Sequence, residues 1–135
     1  MRKLLIALTI LSSTLSGCSA VPAIIGGITT ITGNHGVQCQ TSLTAARAYY
    51  GFEAGYNGVA QAISSIAGTA ILPTGSPRAL QIKGKYTSLI KARKDIEGLV
   101  DACNTGQLSS QAAAGMVLVA DLQMLIGKAK ANPGG

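Results

Sequence analysis

The sequence predicts an all-α fold, a three-helix up-down-up bundle that follows a cleavable signal peptide and a flexible tether rich in Gly and Thr. A basic N-terminus precedes a short apolar run, and three later segments carry apolar residues at helical spacing. Gly and Pro separate these segments. The helices are expected over about 42–66, 77–102 and 109–131, with a tail over 132–135.

The first 17 residues have the order of a secretory signal peptide. Arg2 and Lys3 supply positive charge, residues 4–11 are apolar, and Ser16 and Gly17 are small. A membrane-spanning helix needs roughly 20 predominantly apolar residues, and this run is shorter. Residues 1–17 are therefore predicted to be cleaved from the chain.

The stretch Leu15-Ser16-Gly17-Cys18 resembles the lipobox of bacterial lipoproteins, where the cysteine thiol is diacylglycerol-modified and the chain is cut before it. The resemblance implies a lipid anchor on Cys18. Ser19, in place of Asp, implies sorting to the outer membrane, facing the periplasm. The alternative is an ordinary cleaved signal with an incidental cysteine.

Size and charge restrict the function classes. Removing 17 of the 135 residues leaves 118, enough for one domain, and without Arg2 and Lys3 nine basic residues face five acidic ones. The export signal argues against nucleic acid as a partner. An anionic surface or an acidic partner fits the mild positive charge, as does a solvated helix face.

Residues 18–41 are predicted to be a tether that carries the lipidated cysteine. Gly26, Gly27, Gly33 and Gly36 interrupt any helix, and no clean strand alternation is visible. The segment could lie against the bilayer or pack on the domain.

Two cysteines remain once Cys18 is lipidated, and an oxidising periplasm favours a disulfide between them. Cys39 stands before the first helix and Cys103 at the close of the second. In an up-down-up bundle these ends are neighbours. A Cys39–Cys103 bond is therefore predicted, with two free thiols as the alternative.

The first helix is predicted to begin at an N-cap of Thr41 or Ser42. Its inner stripe is expected to be Ala45, Tyr49, Phe52, Tyr56, Val59, Ile63 and Ile66. A second stripe includes Gly51, Gly55 and Gly58, which predicts close approach by another helix. Gly51-x-x-x-Gly55 also resembles a membrane dimerisation motif, so self-association is the alternative.

Ser76-Pro77 supplies an N-cap and a favoured first-turn proline for the second helix. Gly106 is expected to take the left-handed turn after this helix. The inner face is expected to be Ile82, Tyr86, Leu89, Ile96, Leu99 or Val100, and Cys103.

The third helix, opening near Ser109 and Ser110, is apolar on nearly every side between residues 112 and 120. Its apolar residues cannot all face one small core, so part of the helix is predicted to bind a partner. Asp121 and Gln123 are expected at its solvent edge. The tentative partner-binding residues are Met116, Val119, Leu122 and Leu125.

No pattern in the sequence indicates catalysis, a metal site or a cofactor. His35, the single histidine, lies in the predicted tether, where general acid or base work would lack a held partner. Asp95, Glu97 and Asp101 are predicted to be solvated ion-pair partners on the basic second helix. The chain is therefore predicted not to be an enzyme.

The whole layout, from lipobox to Ala- and Gly-rich third helix, looks like that of small lipoproteins encoded in phage and prophage genomes of Gram-negative bacteria. The resemblance implies a non-catalytic, lipid-anchored envelope lipoprotein that binds an envelope protein. A phage-encoded superinfection-exclusion factor is one form of this function. The alternative is a lysis component resembling the outer-membrane spanin subunit, although such subunits tend to be proline-rich and extended.

Overall fold

The computed structural model describes residues 27–134 of the chain. The predicted signal peptide over 1–17, the predicted lipidation site Cys18 and the tether as far as residue 26 lie outside the described residues. Gly135 also lies outside them.

The described chain is mostly helical, with a small two-stranded sheet before the helices. Strands β1 (Ile28–Thr32) and β2 (Gln38–Ser42) are followed by helices α1 (Leu43–Ile66), α2 (Pro77–Asp101) and α3 (Leu108–Ala131). A short 3₁₀ turn, Thr105–Gln107, precedes α3. The three helices expected from the sequence are present, and the sheet is an addition to the predicted all-α fold.

The prediction of a flexible tether as far as residue 41 is wrong for its second half. Residues 28–42 form an antiparallel hairpin in which Ile28 pairs with Ser42 and Thr32 with Gln38. The buried positions alternate along both strands, as a half-buried sheet requires. Threonine fills half of these positions, so the alternation is not visible in hydropathy. The buried residues are Thr29, Ile31, Cys39 and Thr41.

Two glycines of the predicted tether form the hairpin turn. Gly36 has a φ of +79°, and its N–H donates to the carbonyl oxygen of Gly33 at 3.0 Å. Gly33 lies against α2, because an ideal Cβ there would stand 2.7 Å from Val100 Cγ1. The turn therefore requires glycine at both positions, for backbone conformation at one and for close approach at the other.

Serine caps begin the first two helices. Ser42 Oγ accepts a hydrogen bond from Ala45 N at 3.1 Å, and Ser76 Oγ accepts one from Ala79 N at 3.2 Å. Pro77 occupies the first turn of α2. These contacts satisfy main-chain N–H groups that lack partners inside the helices.

Helix α3 is central to the core, because it packs along both α1 and α2. Helices α1 and α2 touch each other mainly through long side chains, such as the stacked rings of Tyr56 and Tyr86, whose centroids are 6.2 Å apart. At the far end, Arg78 Nη1 at the start of α2 donates to Asn132 O after α3, at 2.7 Å. The start of α2 therefore lies beside the end of α3.

Candidate functional site

Helix α3 carries the predicted partner-binding residues, but most of them belong to the core. Val119 and Leu122 are 0% exposed and Leu125 is 9% exposed, whereas Met116 is 40% exposed. These three buried side chains fill the space between α3 and the other two helices. Of the four residues, Met116 alone presents substantial surface.

The exposed apolar side chains of α3 lie on the opposite side of the helix. Val117 is 62% exposed and Met124 is 55% exposed. Ala120, between them in sequence, and Ala113, one turn before Val117, are also exposed. The spacing of 113, 117, 120 and 124 places these four residues along one face of a helix. We call them the outer face of α3.

The outer face exists because α3 is apolar nearly all round while, within residues 27–134, the two helices α1 and α2 cover one side of it. Asp121, at one flank, forms an ion pair with Lys85 at 3.4 Å, and Gln123 is exposed at the other flank. The outer face is thus an apolar strip with a polar flank on each side. Contiguous exposed apolar surface of this kind is typical of interaction sites.

Among residues 27–134, one segment, Thr105–Ala131, is long and apolar enough to cross a membrane by length and composition. The same test is passed by the core helix of a soluble domain. Here the segment packs against two other helices and contributes eight buried residues. Its composition is accounted for by this central position.

The predicted disulfide is present and joins Cys39 to Cys103. Their Cα atoms are 5.4 Å apart and 64 positions separate them in sequence. Cys39 lies in β2, and Cys103 lies two residues beyond α2. The bond therefore fastens the hairpin to the end of α2.

The end of α2 differs from the expectation, because Cys103 and not Gly106 takes the left-handed conformation, with a φ of +50°. Cys103 N–H donates to Val100 O at 3.0 Å, and Asn104 N–H donates to Leu99 O at 2.8 Å. These are the two hydrogen bonds of a Schellman motif. A non-glycine residue at this position costs about 1–2 kcal/mol, and here the residue is held by its disulfide.

A cluster of charged side chains that no sequence pattern predicted connects the hairpin turn to α1 and α2. Arg93 Nη2 lies 3.0 Å from Glu53 Oε2, and Arg93 Nε lies 3.4 Å from Glu97 Oε1. Asn34 Nδ2 donates to Glu97 Oε1 at 2.7 Å. Glu97 was predicted to be a solvated ion-pair partner, but it is half-buried and bridges two elements.

The Arg93 guanidinium also stacks over the ring of Tyr56, 4.4 Å from its centroid. Its hydrogen bond to Glu53 raises the pKa of Arg93 above its ordinary value. Burial, followed by the charges of Glu53 and Glu97, raises the pKa of Tyr49 to about 12. The contact with Glu53 thus favours the charged guanidinium of Arg93, and burial favours the neutral phenol of Tyr49.

His35 is also held in place, in contrast to the expectation from the sequence. Its Nδ1 lies 2.8 Å from Asp101 Oδ2, and its side chain is largely exposed. Asp101 therefore serves as a contact between α2 and the hairpin turn. Among the described residues, no group of three or more His, Cys, Asp or Glu side chains is placed to hold a metal ion.

The small-residue stripe of α1 accounts for one close contact. An ideal Cβ at Gly55 would lie 3.1 Å from Val119 Cγ1, so this glycine permits α3 to approach. At Gly51 and Gly58, in contrast, a Cβ would meet no atom of the described chain within 4 Å. In the motif Gly51-x-x-x-Gly55, Gly55 therefore packs against another helix of the same domain and Gly51 does not.

The chain matches no protein-family model, no curated protein and no solved structure.

Proposed function

We propose that the chain is a lipid-anchored, non-catalytic lipoprotein of the bacterial outer membrane that binds another envelope protein through the outer face of α3. In this proposal Cys18 carries the lipid, and the described residues form a three-helix up-down-up domain facing the periplasm. The observation that carries the proposal is the exposed apolar strip on the central helix, with Val117 62% and Met124 55% exposed.

The rigidity of the domain supports binding through a helix face. The Cys39–Cys103 bond and the Arg93 cluster fix the hairpin against α1 and α2, and α3 is held between these helices. A partner would therefore meet a strip whose backbone is already ordered. Ordering before binding lowers the entropic cost of association.

The disulfide supports an oxidising compartment, which agrees with the predicted export signal. Such bonds form and persist in the periplasm and are rare in the bacterial cytosol. The packed helical domain also supports an interaction module over the extended, proline-rich form of a spanin subunit. Superinfection exclusion by blocking an outer-membrane receptor is the narrower form of the proposal, and its support is the resemblance in sequence layout.

Covalent crosslinking in intact cells tests the partner surface. A photoreactive amino acid at Ala120, in the middle of the outer face, is expected to yield an adduct with a second envelope protein. The same probe at Lys94, exposed on α2, serves as the matched control and should yield none. An adduct of twice the mass of the chain would indicate self-association in place of a different partner.

Replacing Val117 or Met124 with Lys should abolish that adduct, because a charge would have to be buried in the apolar contact. Both side chains are exposed, so the free energy of unfolding should change by no more than about 0.5 kcal/mol. Gln123→Lys adds the same charge on the same helix outside the outer face and should leave the adduct unchanged. Loss of the adduct only in variants that also unfold would contradict the proposal.

Mass spectrometry of the protein purified from membranes tests the anchor. We expect an N-terminal Cys18 that carries a diacylglyceryl thioether. Cys18→Ala should leave the chain without acyl groups and release it from the membrane fraction, because acyl chains supply about 0.8 kcal/mol of membrane affinity for each buried methylene. An unmodified N-terminus at any other residue would contradict lipidation.

A further inference from the structure

We propose that a groove between α1 and α2 binds a free fatty-acid carboxylate, with its acyl chain along the apolar walls and its head group beside Lys83. The groove lies at the end of the domain formed by the last turn of α1, the connection over 67–76 and the first turns of α2. Its walls include Ile63, Leu72, Ala79, Leu80, Ile82 and Tyr86.

The path of the chain creates this groove. After α1 the backbone turns at Gly68 and again at Gly75, both with positive φ, and returns as α2 at Pro77. Leu72, in the connection, is buried and closes the bottom. Because α3 packs on the other side of both helices, no other element of the described part of the chain fills the space between the end of α1 and the start of α2.

The walls are apolar even where they meet water. Leu80 is 60% exposed at the rim, and its side chain lines the groove together with Ile63 and Ala79. Polar side chains at the site are few, chiefly Thr74 and Lys83. An apolar cleft with a small number of polar groups is the usual form of a small-molecule site.

The size of the groove matches a single acyl chain of medium length. Its volume is about 380 Å³. If a methylene takes about the same space as a water molecule in the liquid, roughly 30 Å³, the groove holds on the order of a dozen carbons. Two acyl chains of a phospholipid would exceed this volume.

The charge of the site selects an anion. Every carboxylate side chain in the sequence is paired with a residue other than Lys83, so the Lys83 ammonium beside the groove has no side-chain carboxylate partner among residues 27–134. The pairs are Lys91–Asp95, Lys85–Asp121, Arg93–Glu53, Arg93–Glu97 and His35–Asp101. Arg78 adds positive charge at the same end of the domain, where it donates to Lys128 O at 3.3 Å.

The groove lies at the end of the domain that is remote from Gly27, the first described residue. Residues 1–26 join the domain at Gly27, whose carbonyl oxygen accepts from Leu43 N at the start of α1. The groove lies at the other end of this 24-residue helix, about 36 Å away at 1.5 Å per residue. The groove and the point where the chain enters the described domain, at Gly27, are therefore at opposite ends of the domain.

Displacement of a fluorescent fatty acid tests the proposal. The full chain with Cys18→Ser carries no acyl group of its own, and the sequence contains no Trp that would interfere with a dansyl-labelled undecanoic acid. With the disulfide formed, laurate should displace this probe. Dodecyltrimethylammonium, of equal chain length and opposite charge, should require at least tenfold higher concentration.

Variants locate the site. Ala79→Phe should abolish probe binding by filling the groove. Lys83→Glu should weaken the affinity for laurate about fivefold to tenfold. A partly exposed ion pair raises affinity by up to about fivefold, and in this variant it is replaced by repulsion. Lys94→Glu makes the same charge change on α2 away from the groove and should have no effect. Leu80→Glu, at an exposed position, replaces Ala79→Phe should the latter fail to fold.

Each other outcome overturns the proposal. Equal weakening by Lys94→Glu would show a general charge effect, and undiminished binding in Ala79→Phe or Leu80→Glu would place the ligand elsewhere. Binding to anionic vesicles without displacement by free laurate would identify a membrane surface as the ligand. Crosslinking at Ala120 reports on α3 alone, so the two proposals can fail separately.

Discussion

Replacing Cys103 with Ala in the oxidised protein is expected to lower the free energy of unfolding by about 4 kcal/mol. The bond joins residues 64 positions apart and therefore removes many conformations from the unfolded chain. Small domains have a total stability of roughly 5–15 kcal/mol, so this loss is a large part of the whole. Urea unfolding followed by far-UV circular dichroism measures it.

Cys103→Gly separates the disulfide from the backbone conformation at the same residue. Glycine adopts the left-handed region without the steric cost that alanine bears, and the φ of Cys103 is +50°. We therefore expect Cys103→Gly to be about 1 kcal/mol more stable than Cys103→Ala. A reductant should lower the wild type to about the level of Cys103→Ala and leave both variants unchanged. An unchanged wild-type midpoint under reductant would show that the bond contributes little.

The cysteine pairing could be predicted because it follows from helix order and compartment, both of which are visible in sequence. The hairpin could not, because its buried faces rely on Thr29 and Thr41, which look polar in a hydropathy pattern. The β-branched threonine suits a half-buried strand. Whether such a short segment forms a strand depends on its packing against the helices, and the local alternation of apolar and polar residues does not reveal this packing.

Helix α3 does expose apolar side chains, as its composition predicts, but three of the four residues predicted to bind a partner, Val119, Leu122 and Leu125, are buried in the core. When a helix has apolar residues on every side, the sequence gives no indication of which side faces the core. That choice depends on contacts such as Gly55 with Val119 and Gly115 with Phe52. The Arg93 cluster was not predicted for a related reason, since Glu53 lies 40 positions from Arg93 in sequence and Asn34 lies 63 positions from Glu97.

Gly115→Ala is expected to lower the free energy of unfolding by about 2 kcal/mol, through overpacking in the core. An ideal Cβ at Gly115 would lie 2.7 Å from Phe52 Cδ2 and closer still to Cε2. Phe52 is fully buried, so its ring cannot move away without displacing other core residues. Glycine at this position thus lets α3 pack directly on the ring of Phe52.

Gly84→Ala is the matched control, because a Cβ at Gly84 would meet no atom of the described chain within 4 Å. There the change should raise the free energy of unfolding by roughly 0.5–1 kcal/mol, the ordinary difference between alanine and glycine inside a helix. Opposite signs for the same substitution in two helices would be hard to explain by helix propensity alone.

A double-mutant cycle with Phe52→Leu identifies the contact responsible. Leucine is smaller than phenylalanine, so Phe52→Leu combined with Gly115→Ala should cost at least about 1 kcal/mol less than the sum of the two single changes. Both variants act on the α1–α3 interface, which also supports the outer face. If the two changes add without coupling, the destabilisation by Gly115→Ala arises elsewhere and the close packing of α3 on Phe52 is not its cause.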